Sequence, residues 1–219
     1  MLAGPTTAVA RSLLGVRLIR DDETGRREGR IVEVEAYGGS DDQASHARFA
    51  STGRNRVMSG PPGIAYVYLV YGMYDCLNVV TEAEGKPGAV LIRAVEPLIG
   101  MDRMRVDRMA VASRRRAART AAGMATSRER MAAVADHRLA SGPGLVAAAF
   151  GVDTAVTGVD LCDPRSSLRL EQPPDDPTTE TVEASPRIGV AYAGDDWASR
   201  PWRFAIALHR SVSGRGTGR

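Results

Sequence analysis

Apolar and polar positions alternate most clearly between Ile31 and Tyr37, where the period is the two residues of a strand. In an extended chain this sets Glu33, Glu35 and Tyr37 on one face and Val32, Val34 and Ala36 on the other. The apolar face can pack on a core, which leaves the carboxylates facing a cleft or solvent. Similar patterns predict a strand over Val16–Arg20, a turn at Asp21–Gly25 and a longer strand over Gly29–Tyr37. Thr6 or Thr7 is placed to cap a helix over Ala8–Leu14 that Gly15 ends. The polar stretch Gly38–Ala50 is expected to begin with a helical turn at Ser40, and residues 51–63 read as a loop. Strands Ile64–Val70, Cys76–Thr81 and Ala89–Ala94 follow in hairpin succession, with turns at Tyr71–Gly72 and Glu84–Gly88. Such succession implies an antiparallel sheet, which Pro97 is expected to end.

The pattern then changes. An Ala-, Met- and Arg-rich helical tract runs from Leu98 to about Ala135, and Ser141 and Gly142 can cap an apolar helix over Pro143–Phe150. Residues 171–186 are acidic and proline-rich and read as a surface loop. Arg187–Ala193 and Phe204–Leu208 resemble closing strands. The tail 211–219 offers nothing to bury and is expected to be disordered.

A length of 219 residues suits one domain and a core that needs neither disulfide nor structural metal. Cys76 and Cys162 match no zinc spacing, no second histidine stands at ligand spacing from His46, and no metal or cofactor is expected. No apolar run approaches the roughly 20 residues of a membrane span, and no secretory signal is visible, so a cytoplasmic protein without membrane association is expected. Arginine supplies 28 of the 29 basic residues, Lys86 being the exception. GC-rich coding explains such a bias without invoking function, but it leaves few amines for Schiff-base chemistry. Between 101 and 140 ten arginines face four acids, a local net charge of +6. Those arginines suit either a solvated helical face or phosphate contacts.

Chemistry concentrates elsewhere. Four of the six tyrosines fall at 66, 68, 71 and 74, in AYVYLVYGMYDCLN. Phenol faces stack on flat rings and their hydroxyls need polar partners, so the cluster suits a planar ligand. With Glu33, Glu35 and Tyr37 about thirty residues earlier in EVEAYG, it reads as an enzyme that holds a nucleobase. A carboxylate beside an aromatic ring can position water. Tyr71 is expected at the hairpin tip as a wedge between stacked bases, although strand propensity alone also explains tyrosines here. Arg54 and Arg56, in RNR, can grip phosphates. Two other readings remain open: an O-glycoside hydrolase using the Glu33/Glu35 pair, and a binding module whose tyrosines stack bases without chemistry.

The words RIVEVEAYGG, SHAR, RNRVM, AYVYLVYGMYDCLN and AVLIRAVEP, in that order, resemble the alkyladenine (3-methyladenine, methylpurine) DNA glycosylase family. ARSLLGVRLIR, RLASGPG, RIGV, AYAG and RPWRF extend the resemblance over most of the chain. It implies an α+β fold: a single mixed domain around a curved antiparallel sheet with a protruding β-hairpin and no helix-hairpin-helix. That domain would span residues 1–210, with an Arg/Ala-rich insertion at about 106–135 that has no matching words. The implied activity is monofunctional excision of damaged purines from duplex DNA by a monomer. Glu35 would be the general base and Arg93 would hold the water and Glu35. Tyr37 and Tyr68 would sandwich the flipped base, His46 would bond its edge, Asn78 would disfavour a guanine amino group, and Tyr71 would intercalate. Asp75 departs from the pattern, standing where an apolar or aromatic residue is expected.

Overall fold

The computed structural model describes residues 2–49, 56–70, 72–115, 128–173 and 180–214. Its frame is a curled, mixed α+β domain built on one antiparallel sheet. Strands β1 (Arg17–Asp22), β2 (Gly25–Tyr37), β3 (Ala65–Val70), β4 (Tyr74–Val80), β5 (Ala89–Ile99) and β6 (Leu168–Glu171) run in the spatial order β3-β4-β5-β2-β1-β6. Strand β8 (Arg203–Ile206) adds to β2, and β7 (Val182–Ser185) adds to β8. Helix α1 (Thr6–Ser12), α2 (Met101–Arg115), α3 (Pro143–Ala149) and α4 (Asp195–Ser199) pack around it.

The 13-residue β2 organises the rest. Its first half pairs with β1 through Arg17↔Arg30, and on the same flank its second half pairs with β8 through Glu35↔Arg203. Strand β5 lines the other flank. Residues 33–35 are therefore paired on both sides, where the backbone has least freedom. The β2–β5 register steps from Ile31↔Val95 to Glu33↔Ala94 and then to Val34↔Ile92. Val32 and Arg93 are each skipped, so two irregularities of opposite sense cancel. Bulges of this kind re-aim side chains, and here the re-aimed one is Arg93.

The apolar face of β2 is as the alternation predicts: Val32, Val34 and Ala36 join a core with Leu18, Leu77, Ile92 and Phe150. The other face corrects the expectation. Glu33 and Glu35 have 0% exposure, because segments 187–190 and 211–213 close over them.

Several local expectations also change. Pro5, not Thr6 or Thr7, precedes α1; Thr6 Oγ1 instead donates to Glu82 and meets Thr81 Oγ1 at 3.0 Å. Pro97 does not end the sheet, since β5 continues to Ile99 and Pro97 pairs with Gly29. Strand β4 has left β5 by then and a bulge loosens the ladder at Glu28/Gly29, so the missing N–H is tolerated. The expected turn at Ser40 forms, closed by Asp42 N on the Gly39 carbonyl at 3.1 Å, and a 3₁₀ turn follows at His46–Arg48, where the Ser45 side chain accepts from Ala47 N. Part of the acidic 171–186 stretch is strand β7. Arg187–Ala193 is not a strand but a loop ending in a 3₁₀ turn, with Gly189 at φ +77°. In the tail, Ser211, Val212 and Ser213 are buried; residues 215–219 lie outside the described residues.

Helix α2 answers part of the question about the basic tract. Arg103 donates to Asp107 within the helix, while Arg105 donates to Asp136 and Arg108 to the Arg138 carbonyl, so the latter two tie the helix to the following segment. Residues 116–127 lie outside the described residues. Among the described residues, no helix is long and apolar enough to cross a membrane.

Gly100 sits between β5 and α2 at φ +81°, and an added Cβ would stand 2.2 Å from the Arg26 carbonyl oxygen. Gly100→Ala is expected to destabilise the fold by about 1–3 kcal/mol, since steric overlap adds to left-handed strain. Urea unfolding measures this, and an unchanged midpoint would show that the β5–α2 corner does not depend on the glycine.

Candidate active site

Beside the C-terminal half of β2 the sheet and loops enclose a cavity of about 450 Å³, a size that accepts a bicyclic base. Tyr37 ends β2 on one wall. Tyr66 and Tyr68 come from alternate positions of β3, with ring centroids 5.4 Å apart, and both line the cavity as their shared face predicts. His46 sits edge-on to Tyr68 at 4.5 Å, and its Nδ1 lies 3.0 Å from the Tyr66 hydroxyl, which fixes the imidazole plane. Asn78, on β4, donates Nδ2 to the carbonyls of Tyr66 and Cys76. With both amide hydrogens held by backbone, its orientation is set.

Glu35 stands behind this wall. Its Oε2 accepts from the Tyr37 hydroxyl at 2.8 Å and lies 3.2 Å from Arg93 Nη1, while Oε1 accepts from Ile188 N at 2.7 Å. Tyr37 and Arg93 line the cavity; the Glu35 carboxylate is fully buried and reaches the cavity through them. Glu33 is more heavily bonded still. It accepts from Arg93 Nε, Arg203 Nε, Ser213 Oγ and Ser213 N. A carboxylate so saturated is poorly placed to act on a ligand, which removes the second acid of the carboxylate-pair reading.

The phenols and the thiol that line the slot are neutral. Burial, followed by the nearby Glu35 charge, pushes the Tyr37 phenol well above its ordinary value. Burial likewise holds the Tyr68 phenol above the usual range and pushes the Cys76 thiol up to about 12. All three stay protonated at working pH. Neutral phenol faces attract cationic rings, so the slot favours a flat, positively charged ligand. Burial opposes the charge of Arg93, but Glu35 and Glu33 outweigh it and raise its pKa.

Some contributors escaped sequence reasoning. Arg187 has no exposed side chain; it forms a two-pronged pair with Asp42 at 2.7 and 3.0 Å and donates to the Ala36 carbonyl. Its guanidinium carbon lies 4.9 Å from the Tyr37 ring centroid and so backs that ring. Arg187 thereby anchors the loop whose Ile188 N–H reaches Glu35 and whose Ile188, Gly189 and Val190 line the cavity. Tyr192 completes the rim, its hydroxyl on the Ala44 carbonyl. The signal for Arg187 was the word RIGV, which periodicity misread as a strand. Among the expected DNA contacts, Arg56 is exposed on a 3₁₀ turn whose Met58 lines the cavity. Arg54 and Tyr71 lie outside the described residues. Among the described residues no group of three or more His, Cys, Asp or Glu side chains could hold a metal ion.

Comparison with known proteins gives this geometry a context. The profile of the Methylpurine-DNA glycosylase (MPG) family matches residues 1–210. A protein of Methanocella arvoryzae, provisionally named 3-methyladenine DNA glycosylase, is 46% identical over 214 residues, covering 98% of this chain and 94% of the relative. Proteins of the same provisional name from Myxococcus xanthus and Bacillus mycoides are 41% and 37% identical, covering 96% of this chain in each case and 90% and 95% of the relatives. The chain therefore belongs to the methylpurine-DNA glycosylase family, hydrolases of N-glycosyl bonds that act on DNA.

Asp42→Asn leaves Arg187 buried without its counter-charge, and is expected to cost about 3–5 kcal/mol of stability. Denaturant unfolding checks it; a loss below about 1 kcal/mol, the scale of an exposed pair, would mean that the pair does not anchor the loop.

Proposed function

We propose that this member of the methylpurine-DNA glycosylase family extrudes a damaged purine from double-stranded DNA and hydrolyses its N-glycosidic bond, leaving an abasic site. The observation that carries the reading is the 2.8 Å hydrogen bond from Tyr37 to Glu35, which joins an aromatic slot to a buried carboxylate.

In this mechanism the base enters the cavity between Tyr37 and Tyr68, while His46 bonds its edge. Extrusion costs least for a damaged or mispaired base, which gives a first level of selection. Purines alkylated at a ring nitrogen, such as 3-methyladenine, the base in the relatives' names, are cationic while joined to the sugar and depart as neutral bases. They stack well on neutral phenols and leave readily, so the protein has little leaving-group work to do. Asn78, held by two backbone carbonyls, disfavours the amino group of guanine-derived bases.

Glu35 activates the water. Oε2 meets Tyr37 and Arg93 and Oε1 accepts from Ile188 N–H, which leaves Oε1 acceptor capacity for a water. Water oxygen attacks C1′ as the base departs with the bonding electrons, and Glu35 takes the water proton. Arg93 holds Glu35 and the water in line. Because lysine is confined to Lys86, which is not among the lining residues, hydrolysis rather than Schiff-base lyase chemistry is expected.

On the DNA side, Leu69, Met73 and Tyr74 are exposed apolar residues on the β3–β4 hairpin. They suit insertion into a minor groove, with Tyr71 filling the place the base vacates and Arg54 and Arg56 on phosphates.

Glu35→Gln is expected to abolish base release while changing affinity for a lesion-bearing duplex by no more than a few-fold. Single-turnover release and a binding titration test this together, and cleavage at the wild-type rate would remove Glu35 from the mechanism. Tyr71→Ala should weaken lesion-duplex binding by about 1–3 kcal/mol, the scale of stacking a base on an aromatic ring. An unchanged dissociation constant would rule out the wedge.

A further inference from the structure

Every nitrogen of the Arg93 guanidinium faces an acceptor. Nη1 lies 3.2 Å from Glu35 Oε2, Nε donates to Glu33 Oε1 at 3.0 Å, and Nη2 donates to Ser213 Oγ at 3.3 Å. Ser213 then closes a ring. Its hydroxyl donates to Glu33 Oε1 at 2.9 Å, its N–H donates to Glu33 Oε2 at 2.6 Å, and its carbonyl accepts from Arg203 Nη2 at 3.2 Å. Arg203 Nε also donates to Glu33 Oε1, at 2.7 Å. The segment is seated firmly: Val212 joins the core, and its carbonyl accepts from Ser141 Oγ. A stretch that looks like a polar tail in the sequence is thus built into the floor behind the cavity.

This arrangement meets a specific need. Arg93 is skipped in the β2–β5 ladder, so pleat and pairing do not dictate where its side chain points. It also lines a cavity that receives a nucleotide, and a guanidinium there is attracted to the phosphates that arrive with it. A guanidinium held by Glu35 alone could swing outward about its terminal torsions. The Glu33–Ser213 side of the ring blocks that swing by occupying the other edge of the fork.

We propose that Ser213, acting with Glu33, is a positioning residue that clamps Arg93 against Glu35 and keeps it from migrating to DNA phosphate. The inference rests on the base-release reading for its kinetic consequence, but the clamp itself has a separate signature in the mobility of Arg93.

The test uses Ser213→Ala, which keeps the backbone N–H on Glu33, and Ser213→Thr, which keeps the hydroxyl. Single-turnover base release should fall roughly tenfold in Ser213→Ala, as displacement of a catalytic group implies. Affinity for the lesion duplex should stay at the wild-type value, and Ser213→Thr should retain the rate. In parallel, hydrogen exchange of the Arg93 Nε–H, assigned by its loss in Arg93→Lys, should be slow in the wild type and faster in Ser213→Ala. Wild-type rate and wild-type protection in Ser213→Ala overturn the clamp. So do equal impairment of both variants, or loss of affinity in step with rate, which mark general structural damage. If the wild type releases no base, the functional reading fails, and the exchange measurement alone decides the clamp.

Discussion

Two carboxylates buried side by side on a central strand set the terms for the whole structure. Isolated ions so deep in a protein are strongly unfavourable unless paired and hydrogen-bonded. Glu33 and Glu35 are fully buried, and four distant segments of chain converge on them. Arg93 comes from β5, Arg203 from β8, and the N–H groups of Ile188 and Ser213 from the loops that close over the face. The sheet's fork at β2, the double irregularity against β5 and the burial of the 211–213 segment all serve that neutralisation. The same requirement concentrates directed donors around one acid.

The two acids divide the labour. Glu33 is saturated and holds cations in place. Glu35 keeps contacts to Tyr37 and Arg93, both of which line the cavity, so it is the acid directly behind a ligand-sized space. Around that space, burial keeps phenols and thiol protonated, giving walls that are neutral and polarisable. A cationic aromatic ligand gains there from stacking, whereas an anion meets Arg93, the arginine among the described lining residues, which two acids already engage. Arg187 on the rear of Tyr37 is itself compensated by Asp42, so its charge is largely confined to the back of the ring.

The sequence revealed the parts governed by local repetition. The alternation through 31–37, the tyrosines at 66 and 68 and the hairpin returns put β2 to β5 in their places, and they brought Tyr37, His46, Tyr68 and Asn78 to one cavity. It misjudged what depends on contacts from far away. Glu33 and Glu35 look like solvent-facing acids because nothing nearby covers them; the covering groups arrive from positions 153 and 180 residues further on. Arg187–Ala193 has strand-like composition, but its extended edge is spent on Asp42 and Glu35 rather than on a ladder. Ser211–Ser213 read as tail because one valine between two serines carries no periodicity, although each finds a buried place. The arginines of α2 invited a DNA-binding reading, yet Arg103, Arg105 and Arg108 are engaged within the protein.

The most direct measurement of the account is product analysis after the wild-type protein is incubated with duplex DNA methylated at purines. Free alkylated purine should appear in solution, while the strands remain intact until alkali cleaves them at abasic sites. Recovery of the methylated duplex with no free base, or strand scission without alkali, would contradict a carboxylate-activated water acting on a base held in the tyrosine-lined cavity.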